Sequence, residues 1–318
     1  MKTVAKILLI IAFGLIVCGA VFFGVGIIMN DGDIPMAKYD VKSYGELGNF
    51  NDIYINTTTA DILFEKAPDG KAKVVCYEQE KQPHNVLVKD EKLTIEVQDN
   101  RKWYDYVGIN SSKTAKITVY LPQNVYNSLF VKTSTGCVNL NNYFNFLSIE
   151  VEGSTGDVIC CSNANDIKIY LSTGDIEVNG ITAKNLRLKV STGEIEVANS
   201  SVENEVKIEF STDDVSIKNL TADNLTVNGE TGDVNLSNVI VSGKMNIKAS
   251  TGEVTLNRCD AGEIKINLST GDVKASLLSS KIFIVDTNTG KKQVPNTTQG
   301  GICEITTSTG DITVTIVS

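Results

Sequence analysis

Histidine occurs once in this 318-residue chain, at position 84. One imidazole excludes multi-histidine metal centres and leaves a single position from which a histidine base could act. Proline is nearly as scarce, at five, which with 25 glycines excludes collagen-like and proline-rich linker classes. Basic residues are outnumbered, 29 Lys+Arg against 38 Asp+Glu, for a net charge of −9. Such a chain lacks the clustered cations that displace counterions from nucleic acid. Aromatic residues thin out along the sequence: after Phe146 only Tyr170, Phe210 and Phe283 remain, too few to line a sugar-stacking groove. The seven cysteines (18, 76, 137, 160, 161, 259 and 303) contain no C-x-x-C, so free thiols are expected. A hydrophobic content of 42% nevertheless argues for an ordered chain.

Charge is also missing from Ile7 to Met29. As a helix this run would measure about 34 Å, enough to cross a hydrocarbon core of ~30 Å. Lys2 and Lys6 precede it, and Asp31 and Asp33 follow. The positive-inside rule then predicts a cytoplasmic tail (1–6), a transmembrane helix (7–29) and an extracytoplasmic remainder. The run is longer than a signal-peptide core and lacks an A-x-A-like site, so an uncleaved anchor is expected. Taking Lys2 and Lys6 from the total leaves −11 on residues 31–318. Residues 30–48 read as a short linker.

What the remainder has in abundance is repetition. Thr-Gly followed by an acid, or a variant of it, centres on Gly136, Gly156, Gly174, Gly193, Asp213, Gly232, Gly252, Gly271, Gly290 and Gly310, at spacings of 18 to 20 residues. Apolar residues alternate around each centre: Ile167, Ile169 and Leu171 precede Gly174, and Ile176 and Val178 follow it. Period two means half-buried strands. Each repeat therefore reads as strand, tight turn, strand and a looser link such as Asn219-Leu220-Thr221-Ala222. Equivalent residues recur once per repeat rather than in mirrored pairs, which favours a parallel solenoid over a hairpin ladder, with coils about 4.8 Å apart. Ile53, Ile55, Ala60, Ile62 and Phe64 fit the same offsets and add a coil at 49–64. The expected fold is an all-β parallel β-solenoid of about eleven coils, with a β insertion or cap at 65–121 and the repeat domain at 122–318. The end at Ile316-Val317-Ser318 is expected to be the less protected one.

The S-T-G-D coils, the lead-in Ile117-Thr118-Val119-Tyr120-Leu121-Pro122 and the closing segment from Gly300 to Asp311 resemble the bacterial "putative adhesin" family of unknown function. These are β-strand-repeat proteins, often behind one N-terminal membrane helix. The resemblance covers roughly residues 50–318. It implies adhesion and supplies no catalytic residues. Some members sit beside envelope-stress signalling systems, which suggests a sensing or accessory role.

Several side-chain groups invite a chemical reading. Asp157, Asp175, Glu194, Asp214, Asp233, Glu253 and Asp272 recur at one position of successive coils. Stacked carboxylates repel by about 0.9 kcal/mol per pair even in water. Bonds to turn amides and screening by salt would relieve that; a line of Ca²⁺ ions is the alternative. No other cofactor is implied. The Ser-Thr pairs have no nearby base, and no carboxylate pair stands out for glycoside hydrolysis. Trp103, Tyr104 and Tyr106, in an apparent loop from Asn100 to Lys113, could bind a ligand, meet lipid or cover the rod's end. His84, after Pro83, reads as a solvated turn residue. The chain is thus expected to be a non-catalytic, membrane-anchored binding module of the bacterial cell envelope, its partner a cell-wall polymer or envelope protein. A self-assembling scaffold is the alternative, and a carbohydrate-active enzyme the more remote one.

Overall fold

The computed structural model describes residues 2–32, 37–45, 47–107 and 113–317. Asp33 of the acidic flank, part of the 30–48 linker and part of the 100–113 loop lie outside them.

A representative coil shows why these residues form this fold. Strand Asn163–Thr173 buries Ile167, Ile169 and Leu171; the chain turns at Gly174, and strand Ile176–Asn179 buries Ile176 and Val178. Each strand pairs in parallel with its equivalents on both sides, aligning Ile149 with Ile167 and Leu186, and Val158 with Ile176 and Ile195. Like residues thus lie above like residues, and the inward positions merge into one aliphatic column. Burying each such side chain contributes about 1.5–3 kcal/mol, but only because the neighbouring coils close over it. The eight turns from Gly136 to Gly271 follow one another in chain order.

The link after the second strand is not loose. Gly180, Asn199, Asn219, Asn238 and Arg258 form a second corner, all with φ between 51° and 70°. Asparagine tolerates this left-handed geometry better than most residues. The Asn side chains also form a ladder: Asn199, Asn219 and Asn238 each donate through Nδ2 to the Oδ1 of the preceding coil's Asn179, Asn199 and Asn219, at 3.1, 2.8 and 3.1 Å. The chain bends there without leaving the sheet, so Ile195–Thr212, Val215–Thr231, Val234–Thr251 and Val254–Thr270 run unbroken for 17 or 18 residues. The 18–20-residue variation is absorbed beyond this corner, in bulges such as Val202/Glu205 and Ala222/Leu225.

Both ends of the rod depart from chain order. At the N-terminal end, helix α1 (Lys2–Met29) leads to β1 (Tyr39–Tyr44), β2 (Asp52–Asn56), β3 (Asp61–Lys66), β4 (Lys73–Gln79), β5 (His84–Lys89), β6 (Lys92–Val97), β7 (Lys116–Leu121), β8 (Val125–Thr133) and β9 (Val138–Leu140). The coil β2–β3 lies between β8–β9 on one side and β6–β7 on the other, all parallel. Segment 65–121 is therefore two things. Strands β6 and β7 add a parallel coil, while β4, β5 and β1 continue the sheets as antiparallel strands, β5 on β6 and β4 between β7 and β1.

At the far end, strands Gly301–Thr309 and Ile312–Ile316 stack directly on the Gly271 coil, and strand Lys281–Thr289 lies outside them. The spatial order is Gly271, Gly310, Gly290. The outer edge therefore belongs to Lys281–Thr289 and not to the chain terminus.

The glycine corner is constrained twice. Gly252 has φ 140°, and a β-carbon on it would lie 2.0 Å from the Gly232 carbonyl oxygen. Asp213 is the exception, holding φ 86° as a non-glycine residue. Gly252→Ala should lower stability by at least about 2 kcal/mol, combining backbone strain with overpacking. Asp213→Gly should be neutral or stabilising by up to about 1 kcal/mol. Urea denaturation of the two variants checks this, and equal stability of Gly252→Ala and the parent would contradict the close approach.

Candidate functional site

The acidic column follows from the glycine corner. With the turns this close, each aspartate Oδ1 reaches the backbone N–H of its equivalent on the adjoining coil. Asp157 accepts from the Asp175 amide at 2.9 Å, Asp175 from Glu194 at 2.8 Å, Asp214 from Asp233 at 2.7 Å and Asp233 from Glu253 at 2.7 Å. The pattern crosses the out-of-order end, where Asp272 accepts from Asp311 and Asp311 from Lys291, at 2.8 and 2.7 Å. Lys291 therefore joins this ladder through its backbone, although its side chain breaks the run of acids. Glutamate is one methylene too long for the same geometry. Glu253 turns aside to Thr255 and the Lys274 ammonium, whose hydrogen bond holds its carboxyl below the usual range despite partial burial.

His84 is buried, at 4% exposure, and not solvated. The antiparallel cap pairs β5 with β6, next to β2, and the His84 ring at the start of β5 lies between Glu78 of β4 and Thr57 after β2. Nδ1 lies 2.8 Å from Glu78 Oε2 and Nε2 lies 3.0 Å from Thr57 Oγ1. The His84 amide donates to the same carboxylate oxygen at 2.6 Å, and Lys42 on β1 forms an ion pair with Oε1 at 3.0 Å. Tyr44, also on β1, donates to the His84 carbonyl at 2.9 Å. Both ring nitrogens have partners suited to neutral imidazole, with Nδ1–H donating to Glu78 and the Thr57 hydroxyl donating to Nε2. Burial pushes the imidazole pKa down, against the opposing pull of Glu78.

Cys76, Glu78 and His84 bring donor atoms within 4.8 Å of one another, the one such grouping among the described residues. Burial pushes the Cys76 thiol up to about 12, so it stays protonated, and Lys42 already balances Glu78. The arrangement is charge-balanced without a cation and pins β1, β4 and β5 onto the first coil. Sequence reasoning missed it because its members come from separate strands. Lone His84 was the only signal, and nothing in the sequence shows what folds over it.

The aromatic segment is a short 3₁₀ helix, Trp103–Val107. Tyr104 is buried, while Trp103 and Tyr106 are exposed. Trp103 meets the edge of Phe22 on α1, with ring centroids 6.3 Å apart and planes at 84°. Charged neighbours tie the segment down: Arg101 pairs with Asp99 at 2.7 Å and lies over the Tyr106 ring, and Lys81 pairs with Asp105. Along the rod, a surface depression of about 640 Å³ runs across several coils, lined by Val125, Asn145, Leu147, Asn163, Thr182 and Ser201.

A family model described as Toastrack DUF4097 matches residues 50–315. No curated protein matches the chain. Among solved structures, a "putative adhesin" from Bacteroides fragilis is similar at 16% identity, covering 88% of this chain and 99% of that one, with a TM-score of 0.37. A "putative lipid binding protein" from Parabacteroides distasonis is 19% identical over 76% of this chain and 97% of its own, with a TM-score of 0.42. A "putative adhesin" from the same organism is 15% identical over 88% and 100%, with a TM-score of 0.39.

Two measurements test these sites. In the carboxylate ladder, Asp233→Asn keeps an acceptor oxygen and should preserve stability, whereas Asp233→Ala should cost about 1 kcal/mol. A cation line would instead make the Asn variant as poor as the Ala variant in millimolar Ca²⁺. For His84, folding lowers the pKa, so the unfolded chain binds more protons as pH falls. The stabilising effect of neutral His84 is complete above the unfolded pKa of about 6.5 and declines below it, by at most about 1.4 kcal/mol per pH unit. Melting curves between about pH 7.5 and 5.5, one unit either side of that pKa, should show this slope. His84→Gln should flatten it.

Proposed function

The chain belongs to the Toastrack DUF4097 family, and from that premise we propose that it is a membrane-anchored, extracytoplasmic binding module, its solenoid displayed from the cell surface by α1. The observation that carries this reading is the state of α1. Val4–Met29 is apolar enough to cross a membrane, and no part of its most apolar stretch is buried against the protein. That much exposed aliphatic surface suits a bilayer and supports the anchor reading. The lysines before the run and Asp31 after it orient the solenoid outward.

The binding role rests on the rod's surface. Its depression repeats amides and hydroxyls at the coil spacing, a form that suits an extended partner such as a cell-wall polymer or an envelope protein. Catalysis is not part of this reading, since the one imidazole is enclosed and has a partner at each nitrogen. An accessory role in envelope-stress sensing would use the same surface. A second reading, end-to-end assembly, is favoured by strand Lys281–Thr289, which among the described residues pairs with a strand on one side only and carries the exposed Ile282 and Ile284.

Cys137 is exposed on the rod and reports orientation. A membrane-impermeant maleimide applied to intact cells should label the full chain, and Cys137→Ser should remove most of that label. Labelling of Cys137 that appears only after lysis would overturn the outward orientation. Sedimentation velocity of the detergent-solubilised chain separates the two roles: a concentration-independent monomer supports binding, and a growing series of oligomers supports assembly.

A further inference from the structure

We infer that the cap end of the solenoid rests directly on the bilayer, with Trp103 seated in the outer lipid interface beside α1. This rests on the membrane-anchor reading above and adds to it a second contact and a fixed stance for the rod. The argument is one of depth. A hydrocarbon core of ~30 Å accommodates about 20 helical residues, so a span starting at Ile7 reaches its outer boundary near Gly26. The 3₁₀ segment meets the helix at this level. A β-carbon placed on Gly26 would lie 3.7 Å from Tyr104 Cβ, and the Phe22 ring faces Trp103. Phe22 is four residues nearer the cytoplasmic end than Gly26, about 6 Å deeper along the axis. Trp103 therefore lies just inside the apolar boundary, where amphipathic aromatic rings partition best, and the buried Tyr104 supports it from the protein side.

The chemistry around these rings is compatible with that depth. Asp99 and Asp105 would resist approach to lipid if they were unpaired. Asp99 is instead engaged by the Arg101 guanidinium and the Tyr106 hydroxyl, which hold its carboxyl far below the usual range. Burial pushes Asp105 up, but the Lys81 ammonium and the Lys102 amide outweigh it and keep that carboxyl below the usual range. Arg101 packs against Tyr106 at 4.4 Å, and the Lys81 and Lys102 ammonium groups lie 5.7 and 5.8 Å from the centre of the Tyr104 ring. Aromatic rings flanked by long cationic side chains are a composition that anchors at headgroups. Trp103 is 47% exposed and Tyr106 60%, so the protein itself leaves these faces open.

Trp103 is the only tryptophan, so its fluorescence reports this contact without any substitution. The full chain is reconstituted into phosphatidylcholine–phosphatidylglycerol vesicles and floated after an alkaline wash. Lipids brominated near the glycerol end of their chains should quench emission at least about twofold more than lipids brominated near the chain ends, as an interfacial position requires. Aqueous iodide should quench several-fold less than in the denatured chain. Flotation with the vesicles together with full iodide quenching and no lipid quenching would overturn this inference while leaving the anchor intact. Failure to float would overturn both.

Discussion

The structure depends on how closely consecutive coils pass at one corner. The carbonyl of one turn occupies the volume that a side chain of the next would need, which excludes a β-carbon at Gly252 and at the other turn glycines from Gly156 to Gly310, with Asp213 the exception. The same closeness brings each aspartate within reach of an amide one coil away. Glycine and aspartate are therefore two halves of one contact. One removes the obstruction, and the other uses the space to satisfy an amide at the turn. The repulsion expected between stacked carboxylates is offset at the aspartates by a backbone N–H donor from the adjoining coil and at Glu253 by the Lys274 ammonium, so the column has a relief mechanism within the protein.

From this corner the inward strands gain their register, and with it the core. Pairing is specified residue by residue over Ile149, Ile167, Leu186 and Val206 because one face of every strand is buried. Coils are nevertheless not interchangeable. The Phe210 ring occupies space that a β-carbon on Gly229 of the next coil would need, coming as close as 2.0 Å, and Leu171 stands in the same relation to Gly153 at 2.5 Å. Large and absent side chains are matched between neighbours, so a coil can be exchanged only together with the one it packs against. This coupling fixes the order of the stack beyond what the repeat itself demands.

Period-two patterning and the Thr-Gly-acid spacing made the parallel solenoid and its buried offsets legible, because both are local in sequence. The second corner was less visible. Asn199, Asn219 and Asn238 repeat at a fixed offset from the turn centres, but asparagine also marks ordinary loops, and only the left-handed φ and the amide ladder distinguish the two. The order of coils at the ends could not be read. Gly290 and Gly310 carry nearly the same signature, and spacing along a chain does not say which of two like coils stacks first. The His84 network was hidden for a related reason. A histidine after a proline resembles a turn until strands from four places close around it.

The non-sequential stacking gives the rod two unlike ends. At the N-terminal end, β1 and β5 run antiparallel to the strands they cover, so the parallel lattice is interrupted and cannot be continued by another copy in the same register. The buried Glu78 with its Lys42 and His84 partners holds those strands in place, and the 3₁₀ segment turns the same end toward α1. At the opposite end, the parallel lattice simply stops at Lys281–Thr289. Inserting 301–316 beneath that strand ties the C-terminal segment into the interior of the stack and leaves the segment that precedes it in sequence as the last edge. The buried Lys281, bonded to the Ala261 carbonyl at 2.6 Å and to Asp260 at 2.7 Å, anchors the start of this strand. A rod interrupted at the end beside α1 and still open at the other is directional, and any strand that added to it through backbone pairing would do so at the end farther from α1.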